Sequence, residues 1–342
     1  MIRKLLVFTL ILGVVIAFGL QEIRHRWEAS LSIPEEGFHL TVAQGDSLRA
    51  VAGKLQRAGV LETPLLVTLY GRWTGIDQKI KQGEYLLPQH ATAESMLELL
   101  QSGAVIQYQV TLPEGITLAR ALQILSSQER LAAVLEGASD PRIIELIKPH
   151  TTAEGLFFPD SYYYSRGATD WSVIQRAHQA MRHVLAQEWS DRASPLPYET
   201  PYEALIMASI VERETGLPSE REQISGVFVR RLQKGMRLQT DPTVIYGLGD
   251  GFDGNLRRKH LKDDSNPYNT YRHRGLPPSP IALPGRAAIH AALHPEDGKA
   301  LYFVARGDGG HEFSATLAEH NKAVRKYQLR RRANYHSTPE KQ

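Results

Sequence analysis

The sequence predicts an α+β protein: an N-terminal apolar helix, then a small α/β module, then a larger mixed α+β domain. Three observations carry that expectation. The chain opens on a charge-free apolar run, its later segments switch between strand-like alternation and helical periodicity, and its composition is that of a folded protein. With 342 residues, 42% hydrophobic and 23% charged, it is long enough to build a real core and is neither disordered nor collagen-like in composition.

Arg3 and Lys4 precede the run Leu5 to Leu20. Its sixteen residues, at about 1.5 Å each, fall slightly short of a hydrocarbon core of about 30 Å, and Gln21 to Ile23 extend it at the interface. No small-x-small cleavage site is evident, since Ala17-Phe18-Gly19 is followed by Leu20 and a charged stretch, so residues 1–23 are expected to be an uncleaved anchor in the inner membrane, with the rest periplasmic. A cleaved signal peptide is the alternative. The net charge of +3 is too small to argue for nucleic acid, and much of the excess sits in the tail, where Arg330, Arg331, Arg332 and Lys341 mark residues 329–342 as a solvated end. The absence of cysteine excludes disulfides, thiolate metal sites and a Cys nucleophile.

Residues 24–104 read as the small module. Phe38 to Val42 alternates like a strand, Gly45-Asp46 turns the chain, and Ser47 caps a helix with Leu48, Val51, Ala52 and Leu55 on one face. Leu61 to Tyr70 and Ala93 to Leu100 are further helices, the second capped by Thr92, and Gly83 to Leu87 is a strand ended by Pro88. The strand, turn and amphipathic helix resemble LysM-like modules, which hold glycan chains in a shallow groove; a packing or spacer module fits the same residues.

Residues 105–328 read as the main domain. Val105 to Leu112 alternates, helices follow near Leu118 to Leu125 and Pro141 to Ile147, and Gly155 to Asp160 with Tyr162, Tyr163 and Tyr164 forms an aromatic loop or edge strand. Trp171 to Trp189 is a long amphipathic helix, and a polar, proline-rich stretch leads from it to Pro201. Thr200-Pro201-Tyr202-Glu203 starts the next helix with a cap, a proline at the first position and a capping box, and Gly216 is expected to stop it. At 100° per residue Ile206, Met207, Ile210 and Val211 share a face, and Glu214 continues it, whereas Glu212 lies nearly opposite. Burial on that face, and a place in the last turn, would keep Glu214 protonated at neutral pH, as a general acid requires. Glu212 is expected to meet solvent or a base such as Arg213 or Arg221.

The stretch Ala208 to Thr215 resembles the signature of the YceG-like (MltG) endolytic murein transglycosylases. So do Arg237 to Gly247, Asn266 to Tyr271, Gly275-Leu276-Pro277-Pro278 with Pro280-Ile281, Leu301 to Val304 and Gly310 to Ser314. Ser279 and Arg213 depart from the family's usual Gly and Lys. The resemblance implies that Glu214 is the catalytic acid for a non-hydrolytic cut of the β-1,4 bond between N-acetylmuramic acid and N-acetylglucosamine, closing a 1,6-anhydro ring without a cofactor or metal. It further implies peptidoglycan strands as substrate and cooperation with peptidoglycan synthases. Gln239, Asp241 and Asn269 offer polar partners to the sugar, Tyr246 and Tyr271 offer stacking faces, and His311 a ring nitrogen. Each has a structural alternative: Asp241 starting or capping a helix, Asn269 bracing a loop, His311 satisfying the backbone.

Other patterns carry no such chemistry. Gly247-Leu248-Gly249-Asp250-Gly251 lacks the glycine spacing of a dinucleotide loop, and His311-Glu312 lacks the second His of a zinc protease. His290 and His294 are four apart, but no carboxylate is evident nearby in sequence, so they are expected on a helix surface. Arg306-Gly307-Asp308 is expected to be a hairpin turn between two strands. A hydrolytic muramidase would need a second carboxylate, for which Asp241 is the best candidate, and a non-catalytic peptidoglycan-binding scaffold would need neither acid.

Overall fold

The computed structural model describes residues 2–328; the basic tail at 329–342 lies outside the described residues. The architecture is mixed α+β, with two compact units. The first takes the chain up to Gln109 together with Arg130–Ala132 and Tyr163–Ala168, and the second takes the remainder.

In the first unit α1 (Ile2–Glu28) carries a stretch, Phe8–Glu28, long and apolar enough to cross a membrane, a property that anchors and signal sequences share. Strand β1 (Phe38–Val42) then leads through α2 (Leu48–Arg57) and α3 (Pro64–Thr74) to β2 (Gly83–Leu87) and α4 (Ala93–Ser102). β1 and β2 pair antiparallel, Phe38 opposite Leu87 and Val42 opposite Gly83. Ser47 caps α2 by accepting from the Ala50 amide, and the buried face of that helix is Leu48, Val51, Ala52 and Leu55, as its periodicity requires. Leu40, Val42, Tyr85 and Leu87 from the strands close the core with Val67 of α3 and Met96, Leu97 and Leu100 of α4. α3 begins at Pro64 rather than Leu61, because proline fixes the first helical position while Leu61 is buried in the core ahead of it.

Strands β3 (Gln107–Thr111) and β4 (Ser161–Ser165) pair with each other, so the tyrosine-rich segment is a strand. Between them lie α5 (Leu118–Ser126) and α6 (Pro141–Leu146). The second unit continues with α7 (Asp170–Ser190), α8 (Pro201–Glu214), α9 (Arg221–Gln233), α10 (Asp241–Leu248), α11 (Arg258–Leu261) and α12 (Arg286–Leu293). A hairpin, β5 (Tyr302–Ala305) and β6 (His311–Ser314), and then α13 (Leu317–Tyr327) complete it. The hairpin turns at Arg306–Gly310, where Gly307 and Gly309 take the left-handed backbone the turn needs and the Arg306 amide donates to the Gly310 carbonyl at 2.8 Å.

Helix α8 is the centre of this unit, packed by α7, α9, α10 and α12. Its start is as the sequence requires: Thr200 accepts from the Glu203 amide, and Glu203 reaches back to the Thr200 amide. Its interior differs from the one-faced helix of the sequence reading, for every residue from Ala204 to Val211 is buried. The polar side chain within it is satisfied: Ser209 donates to the Ile206 carbonyl (2.7 Å) and accepts the Ile281 amide (3.0 Å). The stop also differs. The helix ends because Thr215 is extended (φ −138°), and Gly216 is not among the left-handed glycines.

Candidate active site

Glu214 is the last residue of α8, half-buried, and its Oε2 accepts a hydrogen bond of 2.6 Å from the Thr240 hydroxyl. Burial raises its pKa above the usual carboxylate range. The Thr240 hydroxyl and the charge of His311 draw it down, the charge of Asp241 pushes it up, and Arg231 draws it down again. Thr240 stands at the N-cap of α10, yet its hydroxyl makes no cap bond to that helix. Its position is fixed from below by other threonines. The Thr240 amide donates to Thr270 Oγ1 (3.1 Å), Thr243 Oγ1 lies 2.9 Å from Thr270 Oγ1, and Thr243 donates to the Thr240 carbonyl (2.8 Å). All three are buried. Gln239, just before, is held at φ +54° as its amide donates to the Thr270 carbonyl (3.2 Å). A left-handed non-glycine residue is a strained position kept by its surroundings.

Around Glu214 stand Arg231, Asp241, Tyr271 and His311, each felt electrostatically by it or by one another. Tyr271 donates to Asp241 Oδ1 at 2.7 Å, and burial and the Asp241 charge hold its phenol in the neutral form. Asp241 is the first residue of α10, exposed, and does not cap it. Arg231 of α9 is buried. It donates to the carbonyls of Leu301 (2.6 Å), Leu238 (2.7 Å) and Arg237 (3.2 Å), and to Gln239 Oε1 at 3.4 Å, so it is a fixed charge that braces the loop before α10. His311, on the edge of β6, donates from its backbone amide to Glu220 Oε1 (2.9 Å) and from Nδ1 to Glu220 Oε2 (2.7 Å). One buried carboxylate thus fixes both the strand and the ring, leaving Nε2 as the ring's other polar atom.

Of the residues singled out in sequence, Glu214, Gln239, Asp241, Tyr271 and His311 come together here. Two do not. Asn269 is fully buried, and its amide donates to the His260 (3.1 Å) and Asp263 (2.7 Å) carbonyls while its oxygen accepts the Tyr271 amide (3.1 Å), so it braces the loop that carries Tyr271. Tyr246 is half-buried on α10, edge-on to Tyr268 with centroids 4.9 Å apart, and donates to Glu154 Oε2 at 3.3 Å.

Glu212 is not turned to solvent. Its side chain is buried, accepts the Gly285 amide (3.0 Å) and lies 3.5 Å from Arg221, and burial raises its pKa too. Both acids at the end of α8 are therefore desolvated, and what distinguishes them is the partner: a backbone amide and a guanidinium for Glu212, one hydroxyl for Glu214. The two residues that depart from the family pattern find simple places. Ser279 is buried 2.7 Å from the Tyr268 hydroxyl, and Arg213 donates to the Gly115 carbonyl at 3.0 Å.

Sequence reading passed over Glu154. It is buried, accepts the Leu118 amide (2.9 Å) and the Tyr246 hydroxyl, and burial pushes its pKa to about 7. The one local sign is a carboxylate one glycine ahead of the apolar run Leu156-Phe157-Phe158. A carboxylate also does stand beside His290 and His294: Glu188 of α7 accepts from Arg286 (2.6 Å) and His290 Nδ1 (2.9 Å), and His294 sits on the Asp191 and His290 carbonyls. The helices α7 and α12, remote in sequence, bring the three side chains together, and Arg286 supplies the cation that balances Glu188.

Comparison with known proteins places the chain among relatives of one family. The model of the YceG-like family matches residues 40–326. A protein of Bacillus subtilis named endolytic murein transglycosylase is 31% identical over 307 residues, covering 84% of this chain and 84% of that one. A protein of the same name from Streptococcus pneumoniae (serotype 2, strain D39) is 27% identical over 316 residues, 83% of this chain and 57% of that longer one. Among solved structures, a yceG-like protein of Listeria monocytogenes matches with a TM-score of 0.52 at 27% identity, covering 84% of this chain and 99% of the other. A family match across most of the chain, with the acid-bearing helix and the threonine-braced loop inside it, means that this chain belongs to the YceG-like family.

Proposed function

We propose that this chain is an endolytic murein transglycosylase, as its relatives in Bacillus subtilis and Streptococcus pneumoniae are named, and that Glu214 is its catalytic acid. The observation that carries the reading is the Glu214 carboxyl itself, desolvated at the end of a buried helix with one oxygen held by Thr240. A hydroxyl donating to Oε2 leaves Oε1 to carry the acid proton. Glu214 gives that proton to the bridging oxygen between N-acetylmuramic acid and N-acetylglucosamine as the anomeric carbon becomes oxocarbenium-like. The C6 hydroxyl of the same muramyl residue then attacks that carbon and returns its proton to the Glu214 carboxylate, closing a 1,6-anhydro ring and regenerating the acid. The Thr240 hydrogen bond stabilises the carboxylate between the two transfers.

Asp241, Tyr271, His311 and Gln239 surround this group and are the residues we assign to sugar contacts. Tyr246 and Asn269 act one step back, positioning α10 and the loop to Tyr271. The order β1-α2-α3-β2, with its antiparallel strand pair, supports the LysM-like reading of residues 24–104 as a glycan-holding module. We read α1 as a retained inner-membrane anchor with both units periplasmic, where nascent strands and the synthases that polymerise them are met.

The test is digestion of purified sacculi by the full-length protein in detergent, with products analysed by mass spectrometry. The expected result is anhydro-muramyl ends from internal cuts, with Glu214→Gln slowing the reaction by about a thousandfold, the order of effect of a general acid. Reducing ends would instead support a hydrolytic muramidase using Asp241, and unaltered turnover by Glu214→Gln would remove this acid from the mechanism.

A further inference from the structure

Helix α3 is apolar on two sides, and the first unit covers only one of them. Val67 and Gly71, four apart, are buried, and Gly71 lies so close to Leu48 that a Cβ there would overlap its side chain. On another face Leu65, Leu69 and Trp73, again at four-residue spacing, are 70%, 56% and 83% exposed. Scattered exposed leucines need no account, but a stripe of three large apolar residues along one short helix does.

Its surroundings indicate what covers it. Tyr70 packs against Trp27 near the end of α1, its ring tilted by 43° with centroids 4.2 Å apart, and Trp73 meets Tyr70 at 6.1 Å. Leu66, Leu69, Tyr70 and Trp73 line one apolar recess with Leu20, Ile23 and Trp27 of α1. The exposed stripe therefore adjoins the last apolar turns of the helix read above as the membrane anchor, with Arg24 the one charged residue in the recess. Tryptophan and tyrosine at the end of an apolar span are the residues that settle at the boundary between headgroups and acyl chains. Arg24 of the recess wall and Arg72 next to Trp73 in sequence are both exposed and suit the phosphate layer just beyond.

We propose that α3 is a second, in-plane membrane contact: Leu65, Leu69 and Trp73 lie in the outer interfacial layer of the bilayer that holds α1, so that the first unit rests on the lipid surface. The inference depends on α1 being a retained anchor. A helix lying in the interface with one apolar face down needs no spanning length of its own, and the aromatic contact at Trp27 sets α3 at the level where the span of α1 ends.

The natural absence of cysteine allows a direct test. Single cysteines at Leu69, at Val15 in α1 and at the exposed Gln56 of α2 are spin-labelled in the full-length chain, which is reconstituted in phosphatidylethanolamine–phosphatidylglycerol vesicles. Collision with oxygen is then compared with collision with a water-soluble nickel chelate. The expected result is a severalfold higher oxygen-to-nickel ratio at Leu69 than at Gln56, approaching that of Val15. A Leu69 label as water-exposed as Gln56, beside a lipid-exposed Val15, overturns the proposal while leaving the anchor intact. A water-exposed Val15 removes the anchor and this inference with it, without touching the activity. Dipolar broadening between Leu69 labels, lost on dilution with unlabelled protein, would show that a second copy covers the stripe instead of lipid, and would also overturn it.

Discussion

At the scale of single residues, the carboxyl at the end of α8 is governed by opposing influences. Burial raises the pKa of Glu214, and the strongest opposing influence is one hydroxyl, that of Thr240. Removing it with Thr240→Val raises the pKa further, because the donor favoured the charged form. The acid then stays protonated to higher pH, and the alkaline limb of the kcat/KM profile moves upward. At the same time kcat falls by about tenfold, the worth of one hydrogen bond to a charged intermediate. A profile unchanged in position and height would mean that Thr240 only packs. Glu212 carries the opposite expectation. Its partners are the Gly285 amide and Arg221, so Glu212→Gln should lower stability before it alters the pH profile, which thermal melts and rate profiles of the same variant separate.

At the scale of elements, the start of α8 was legible because capping is local: Thr200, Pro201 and Glu203 act within one turn of each other. The same holds for α2 with Ser47 and α4 with Thr92. What surrounds α8 was not legible. Periodicity gives one apolar face, but Ala204, Ala208 and Ser209 are small enough to admit neighbours on every side, so the helix is buried all round and its two acids share a desolvated end. Helix α9 was hidden for a related reason. Its buried face includes Ser225, Gly226 and Arg231, residues that break an apolar pattern, and Arg231 is held there by the carbonyls of later segments. Ser209 shows how such polar links bind elements together. Ser209→Ala leaves the Ile281 amide without its acceptor inside the core, which should cost about 1–3 kcal/mol in denaturant unfolding.

At the scale of the whole molecule, one carboxylate from each unit, Glu84 and Glu154, shows how the fold shifts titration in opposite directions. Glu84 in the first unit accepts from Tyr108, Arg166 (2.9 Å) and His39 (3.2 Å), and its pKa is held down at about 2, chiefly by the Tyr108 hydrogen bond. Its stabilising contribution, roughly 2–3 kcal/mol, is present above pH 4.5 and is lost as pH falls toward 2. Glu154 in the second unit is raised to about 7 by burial, so the folded form is favoured while it is protonated. That advantage is complete below pH 4.5 and lost as pH rises through 7, for a cost of about 3 kcal/mol. Melts of Glu84→Gln should differ from the parent most at neutral pH and converge with it in acid. Melts of Glu154→Gln should instead gain on the parent between pH 5 and pH 8. Parallel curves would mean that Glu84 lacks its hydrogen bonds, or that Glu154 is solvated and not buried. Neither shift was readable from sequence: Glu84 owes its shift to Tyr108 and Arg166, dozens of residues away, and Glu154 owes its shift to burial by the folded chain, which the hydrogen bonds from Leu118 and Tyr246 only oppose.

The Thr240 hydroxyl also sets a limit on improving this protein. At the N-cap of α10 a threonine would ordinarily close its own helix, and here it is spent on a neighbouring acid, leaving that helix without its side-chain cap. Selection for thermal robustness alone would recover the cap and release the acid, so hardier variants that arise at this position should be slower enzymes, a local case of the tension between endurance and turnover.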